Sequence, residues 1–190
     1  ITGNLSLTDG NGDLFTTRGL VNITGNLSVT DAVLNASDAD GGFQIGGATG
    51  VTLDGGVLDL RVTAASLFFN VSVGGLNLSD GSSIVANQLA GDNGGNNRSV
   101  NIAGAVIIGA GGAADFVNFD SAAEGIFFGG NVTVNSTNNP SLDISDQASG
   151  TITITGTLTV TDGHVIADDG FSTVAIGAIT MNAGADTVDF

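Results

Sequence analysis

One short phrase recurs along the chain, and it limits the possible folds more than any other feature. It reads GNLSLTD at Gly3 to Asp9, GNLSVTD at Gly25 to Asp31, GNVTVNS at Gly130 to Ser136 and GTLTVTD at Gly156 to Asp162. Glycine opens each copy, apolar Leu or Val alternates with Ser, Thr or Asn, and Asp or Ser closes it. Alternation of period two between turn residues specifies a strand, and internal repetition specifies units that pack on one another. The first two copies open at Gly3 and Gly25 and the last two at Gly130 and Gly156, a spacing in the twenties for both pairs. Such a period, with several short strands per unit, predicts a coil of parallel strands, each turn of the chain lying on the one before.

The remainder of the chain carries the same texture. GVTLDGG from Gly50, VLDLRVTA from Val57, FFNVSVGG from Phe68, LNLSDG from Leu76, SVNIAGAVIIGA from Ser99 and TVAIGAITMNA from Thr173 all alternate. Helical spacing of apolar residues is missing. Gly, Asn and Asp clusters, such as Asp9 to Asp13 and Gly91 to Asn97, separate the strands with residues that tolerate left-handed corners. The expected fold is therefore all-β: a single-stranded parallel β-helix, or β-solenoid, forming one domain over residues 1–190. Eight or so turns would make a rod of roughly 40 Å at a rung spacing of about 4.8 Å. An antiparallel β-sandwich is the rival, but it does not require identical phrases at matching turn positions. Ile1 opens inside a repeat phrase and Phe190 closes in strand pattern, so the sequence reads as a segment of a longer chain or a subunit of a stacking filament.

Composition narrows function more than it identifies it. With 42% hydrophobic residues the chain can build a core, but 31 glycines, no Trp, no Tyr and one Met require that core to be assembled from small parts in thin layers. Three Arg and no Lys stand against 19 acidic residues, for a net charge of −16. Arg18, Arg61 and Arg98 are isolated, which argues against a nucleic-acid partner and against anionic membrane surfaces. The charge keeps an apolar, sheet-rich chain soluble and self-repelling, and it also suits divalent cations. Zero Cys removes disulfides, thiolate catalysis and zinc–cysteine sites. No apolar run of about 18 residues is present to cross a bilayer as a helix, so membrane insertion is not expected.

Several residues carry candidate chemistry. His164 is the only imidazole and sits among Asp162, Asp168 and Asp169, but no second His or Cys completes a site, so it reads as a turn residue in a polar corner. Glu124 is the only glutamate, so glycoside hydrolysis would need paired Asp residues on adjacent turns. Aromatic platforms for a sugar chain are lacking, and the expectation is that the protein is not an enzyme. Asp9, Asn11 and Asp13 copy the front of a calcium loop, although Leu14 and Leu20 occupy positions where that loop wants Gly and a bidentate Glu. Segments ending at Asp115 and Asp186 faintly resemble glycine-rich calcium repeats, and calcium bridging acidic corners is the one cofactor the sequence suggests. Nine Asn-x-Ser/Thr sequons, at Asn4, Asn22, Asn26, Asn35, Asn70, Asn77, Asn97, Asn131 and Asn135, are glycosylation candidates. Their excess follows from strand alternation, which places outward polar residues at every second position. The Thr run from Thr151 to Thr161 invites an ice-binding reading, but regular Thr-x-Thr on every turn is absent.

The phrases GNVTVNS, ITGTLTVTDGHVIADDG and AIGAITMNAGADTVDF resemble the β-strand repeats of large bacterial exoproteins, the filamentous-haemagglutinin-like and autotransporter passengers. The resemblance spans most of the chain and rests on repeat texture. It implies a secreted or surface-held right-handed β-helix acting as a shaft, adhesin or matrix fibre. The expected role is a non-catalytic structural segment, extracellular or at the cell surface, with a glycan- or calcium-binding module as the alternative and a polysaccharide-degrading enzyme behind it. Expected partners are flanking repeats of the same chain or head-to-tail copies, together with surface glycans.

Overall fold

The computed structural model describes residues 1–14, 20–36, 42–61, 69–86, 98–110, 114–119, 125–145, 151–167, 173–182 and 187–190. Nineteen strands and no helix occur among them, and every strand pairing is parallel. Parallel pairing throughout excludes the antiparallel sandwich and establishes the β-solenoid.

Each coil contributes up to three strand segments, here named faces A, B and C in chain order. In coil three these are Phe43–Ile45, Val51–Asp54 and Val57–Asp59. On face B, Leu5, Leu27, Val51, Leu76, Val106, Val132, Leu158 and Ile179 lie one above another in register. Eight coils are therefore stacked on this face, and the step from Leu76 to Val106 is the longest between neighbours. Stacking of this kind gives a face about 34 Å long at a rung spacing of about 4.8 Å. The two adjacent pairs of the recurring phrase are coils one and two and coils six and seven, each on face B.

Alternation decides which side chains enter the core. Leu53, Leu78, Ile108, Val134 and Val160 are buried in a second column on face B, while the residues between them point outward. Ile102, Phe128 and Ile154 stack on face A, and Leu58, Ile84, Val117, Leu142 and Val165 stack on face C. Each fully buried Leu, Ile or Phe contributes about 1.5–3 kcal/mol of apolar burial. No bulky aromatic system is needed because the space between faces is thin, and Phe43, Phe119 and Phe128 are the largest fully buried side chains among the described residues.

The opening glycine and the Asn that follows it have separate tasks at the A–B corner. Gly25 donates to the Gly3 carbonyl at 3.0 Å, and a Cβ on Gly25 would lie 2.6 Å from the Gly3 carbonyl carbon. A side chain at that position would force the coils apart. The next residue acts as a side-chain cap for the coil above it: Asn4 Oδ1 accepts the Asn26 N–H at 2.8 Å, Asn26 Oδ1 accepts the Gly50 N–H at 3.1 Å, and Asn131 Oδ1 accepts the Thr157 N–H at 3.0 Å. Replacing Asn131 by Ala leaves the Thr157 N–H without that acceptor and is expected to cost about 1 kcal/mol. For a chain of this size that lowers the thermal midpoint by about 2–4 °C, and Asn131→Asp, which keeps the acceptor, should restore most of the loss.

Candidate functional site at the B–C corner

In the first two copies the phrase's closing Asp makes the next corner, and in the fourth Gly163 follows it into positive φ. Asp9, Asp31 and Asp80 adopt φ of 53°, 48° and 58°, and Gly55 adopts 64° at the same turn of coil three. Asp is one of the few residues besides Gly that enters the left-handed region readily, because its short polar side chain can bond locally. Asp54 stands beside this corner in register with Thr30 and Ser79, and accepts a 2.9 Å hydrogen bond from Ser79 Oγ. Repeated corner geometry thus aligns carboxylates along one edge of the rod.

Behind that edge runs a buried polar seam. Ser82, Asp115, Ser136 and Ser141 are each 0% exposed. Ser82 Oγ accepts the Gly56 N–H at 3.1 Å and donates to the Ser79 carbonyl. The Ser82 N–H in turn donates to Asp115 Oδ1. Ser136 Oγ donates to the Asp115 carbonyl and accepts the Asn138 N–H at 3.2 Å. Ser141 Oγ donates to the Asn138 carbonyl at 2.7 Å and accepts the His164 N–H at 3.3 Å. Side chains therefore take over the hydrogen bonding where the chain turns and the ladder breaks, linking coil three to coil seven.

Asp115 is the exception within the seam, because its Oδ2 is buried without a partner. Burial pushes its carboxyl above the ordinary value of 3.8, the Ser82 and Gly81 N–H groups pull the other way, and the Asp80 and Asp54 charges add to the rise. Asp59 behaves in the opposite sense: burial raises its carboxyl, but the Arg61 side chain and backbone N–H outweigh burial and hold it below the ordinary range. Arg61 Nε donates to Asp59 Oδ1 at 2.9 Å, and this exposed pair is a local clasp on face C.

The seam ends at a shallow polar cleft of about 140 Å³ lined by Ser136, Thr137, Asn138, Asn139, Asp162, Gly163, His164 and Thr187. His164 Nδ1 lies 2.7 Å from Asn139 Oδ1 in the coil below, and Nε2 lies 2.8 Å from Asp189 Oδ2 in the coil above. The imidazole is a staple across three coils. With both ring nitrogens engaged it has none free to take a proton from a nucleophile, and the nearby Ser141 hydroxyl bonds to its backbone instead.

The other sequence candidates are dispersed. Asp9, Asn11 and Asp13 are exposed, with Asp9 at the left-handed B–C corner of coil one and Asn11 and Asp13 beyond it on face C. Among the described residues, no group of three His, Cys, Asp or Glu is placed to hold a metal ion. Of the sequons, Asn4, Asn22 and Asn131 are exposed, while Asn26, Asn35, Asn77 and Asn135 are half-buried. Asn77 Oδ1 is buried without a partner beneath Ile107, which has no side-chain donor to offer it. The Asn70 and Arg98 side chains, and Arg18, Asn97, Glu124, Asp168, Asp169 and Asp186, lie outside the described residues. No helix among the described residues is long and apolar enough to cross a membrane.

Comparison with known proteins finds no matching family model, curated protein or solved structure.

Proposed function

We propose that this chain is a non-catalytic structural rod: a shaft segment of a secreted or cell-surface adhesin, fibre or extracellular matrix filament. The observation that carries the reading is the parallel stacking of eight coils along one axis, with an aliphatic core inside and short hydroxyl and amide side chains outside. Such a stack has backbone hydrogen bonds parallel to its length, so an axial load is shared over many bonds at each rung. The net charge of −16 keeps neighbouring rods apart. Inward residues of the end coils remain open: Ile179 and Met181 are each 44% exposed, and Leu5 and Leu7 are only half-buried. Another coil, from flanking repeats or from a second copy placed head to tail, would cover them and continue the same columns.

A second reading, a binding module for glycans or calcium, is favoured by the polar cleft around His164 and Asp162. Negative-stain imaging and glycan-array and calcium titrations of the same material separate the two. The structural reading expects slender rods or filaments and no saturable ligand. Compact particles that never elongate, together with saturable binding that is lost on Asp162→Asn, would replace it with the binding module. Release of new reducing ends from an acidic polysaccharide would replace both with an enzyme.

A further inference from the structure

Three independent features meet in coil five. The step that enters it, from Leu76 to Val106, is the longest on face B. Its register against coil four shifts between Ile108 and Ala110, so the ladder is interrupted there. Beyond that interruption the chain places Asp115 at an inward position, 0% exposed, with one carboxyl oxygen on the Ser82 N–H and the other on nothing.

We propose that coil five is a proton-controlled joint in the rod, at which Asp115 binds a proton to lock coils four and five together and releases it to loosen them. An ionised carboxylate at this position brings a full charge into the core with one oxygen unpartnered, whereas the acid form brings none. The charges that face it, among the described residues, are both negative: Asp80 at the corner of coil four and Asp54 in coil three. From coil six it meets the neutral Ser136 hydroxyl, which bonds to its backbone carbonyl. No described cation offsets the carboxylate, so a proton is the smallest ligand that relieves the corner.

The direction of the effect follows from the raised carboxyl. A group whose folded-state value lies above its unfolded one contributes stability that is complete below the unfolded value, here 3.8, and is lost as pH climbs through the folded value. A fall in pH therefore tightens the joint and a rise through the folded-state value loosens it. The loosening is local, because each coil leans only on its neighbours. Register shifts also occur between coils six and seven and between coils seven and eight, so it is the buried, half-satisfied Asp115 carboxyl that sets coil five apart. The inference concerns the rod itself and holds whatever the rod carries.

The test is a carboxyl-carbon NMR titration of the full chain, with Asp115 assigned through its own backbone. The Asp115 resonance should titrate at higher pH than the exposed carboxylates. In parallel, hydrogen exchange corrected for intrinsic chemistry should show the amides of Phe116–Asn118 and Ser83–Val85 opening more as pH rises, by up to about tenfold per unit, the limit for one linked proton. Asp115→Asn should flatten that dependence while leaving the amides of Leu27–Asn35 unchanged. Titration of Asp115 together with the surface carboxylates overturns the proposal, and this reading does not require the variant to fold. Equal pH dependence in the folded Asn variant also overturns it. So does protection by calcium at constant pH, which would assign the orphan oxygen to a metal ion instead.

Discussion

Gly50→Val is expected to destroy the stack around coil three. Gly50 is buried at φ +73°, donates to Asn26 Oδ1 and the Gly47 carbonyl, and accepts the Leu27 N–H at 2.9 Å, so its backbone is bonded within its own coil and to the coil below. A Cβ at this position would fall on the Gly75 carbonyl oxygen and backbone nitrogen of coil four, far inside van der Waals contact. Neither atom can retreat, because the Gly75 carbonyl is itself the acceptor for the Val51 N–H at 2.9 Å. A β-branched residue adds left-handed strain of about 1–3 kcal/mol to that collision. The sum should exceed about 4 kcal/mol, a large share of the roughly 5–15 kcal/mol that holds a domain together. Chemical denaturation followed by circular dichroism should show the loss, with proteolysis between coils two and four. Gly10→Ala is the matched control: nothing lies within 4 Å of its Cβ, and Ala32 occupies the same position one coil above. It should change stability by no more than about 0.5 kcal/mol. A Gly50→Val protein as stable as this control would refute the close approach of the coils.

The two glycines mark the boundary between what was legible in the sequence and what was not. The phrase announced its own geometry: alternating Leu and Val became inward columns, the opening glycine became a close contact between coils, and the closing Asp of the first two copies became a left-handed corner. The spacing between copies became the register between adjacent coils, Leu5 against Leu27 and Val132 against Leu158, because strands stacked in parallel must bring equivalent positions together. The polar seam was harder to read. Serine fills outward positions on every face, so nothing in composition singles out Ser82, Ser136 and Ser141 as buried. Parity alone could have found Asp115: it falls on the same side of the alternation as Val117 and Phe119, and both are core residues. His164 was readable as a polar corner residue, but its partner Asp189, one coil further on, became visible only through register. Its sequence neighbour Asp162 shares the cleft instead of contacting the ring as its described partner.

Phe128→Ala should cost about 3–5 kcal/mol, and the damage should stay near coil six. Phe128 is 0% exposed on face A, in register with Ile102 below and Ile154 above, so its truncation opens a void between three coils at once. Little can move in to fill that void, because the faces are fixed by ladders running the length of the rod and the neighbouring side chains are already buried. In a stack where each unit contacts only the next, the lost energy falls on the interfaces with coils five and seven. Hydrogen exchange should therefore show faster opening in Val100, Ile126 and Ile152, with protection in Leu27–Asn35 preserved. Phe127, one residue earlier and 42% exposed, points outward on the same strand, and Phe127→Ala should stay within about 0.5 kcal/mol. The two substitutions remove the same ring from adjacent residues, so any difference between them measures the alternation itself. Equal losses from both would mean that side-chain direction does not decide burial on this face. Loss of protection spread evenly from coil one to coil eight would mean that the rod unfolds as one cooperative body, and coil five could then not act as a separate joint.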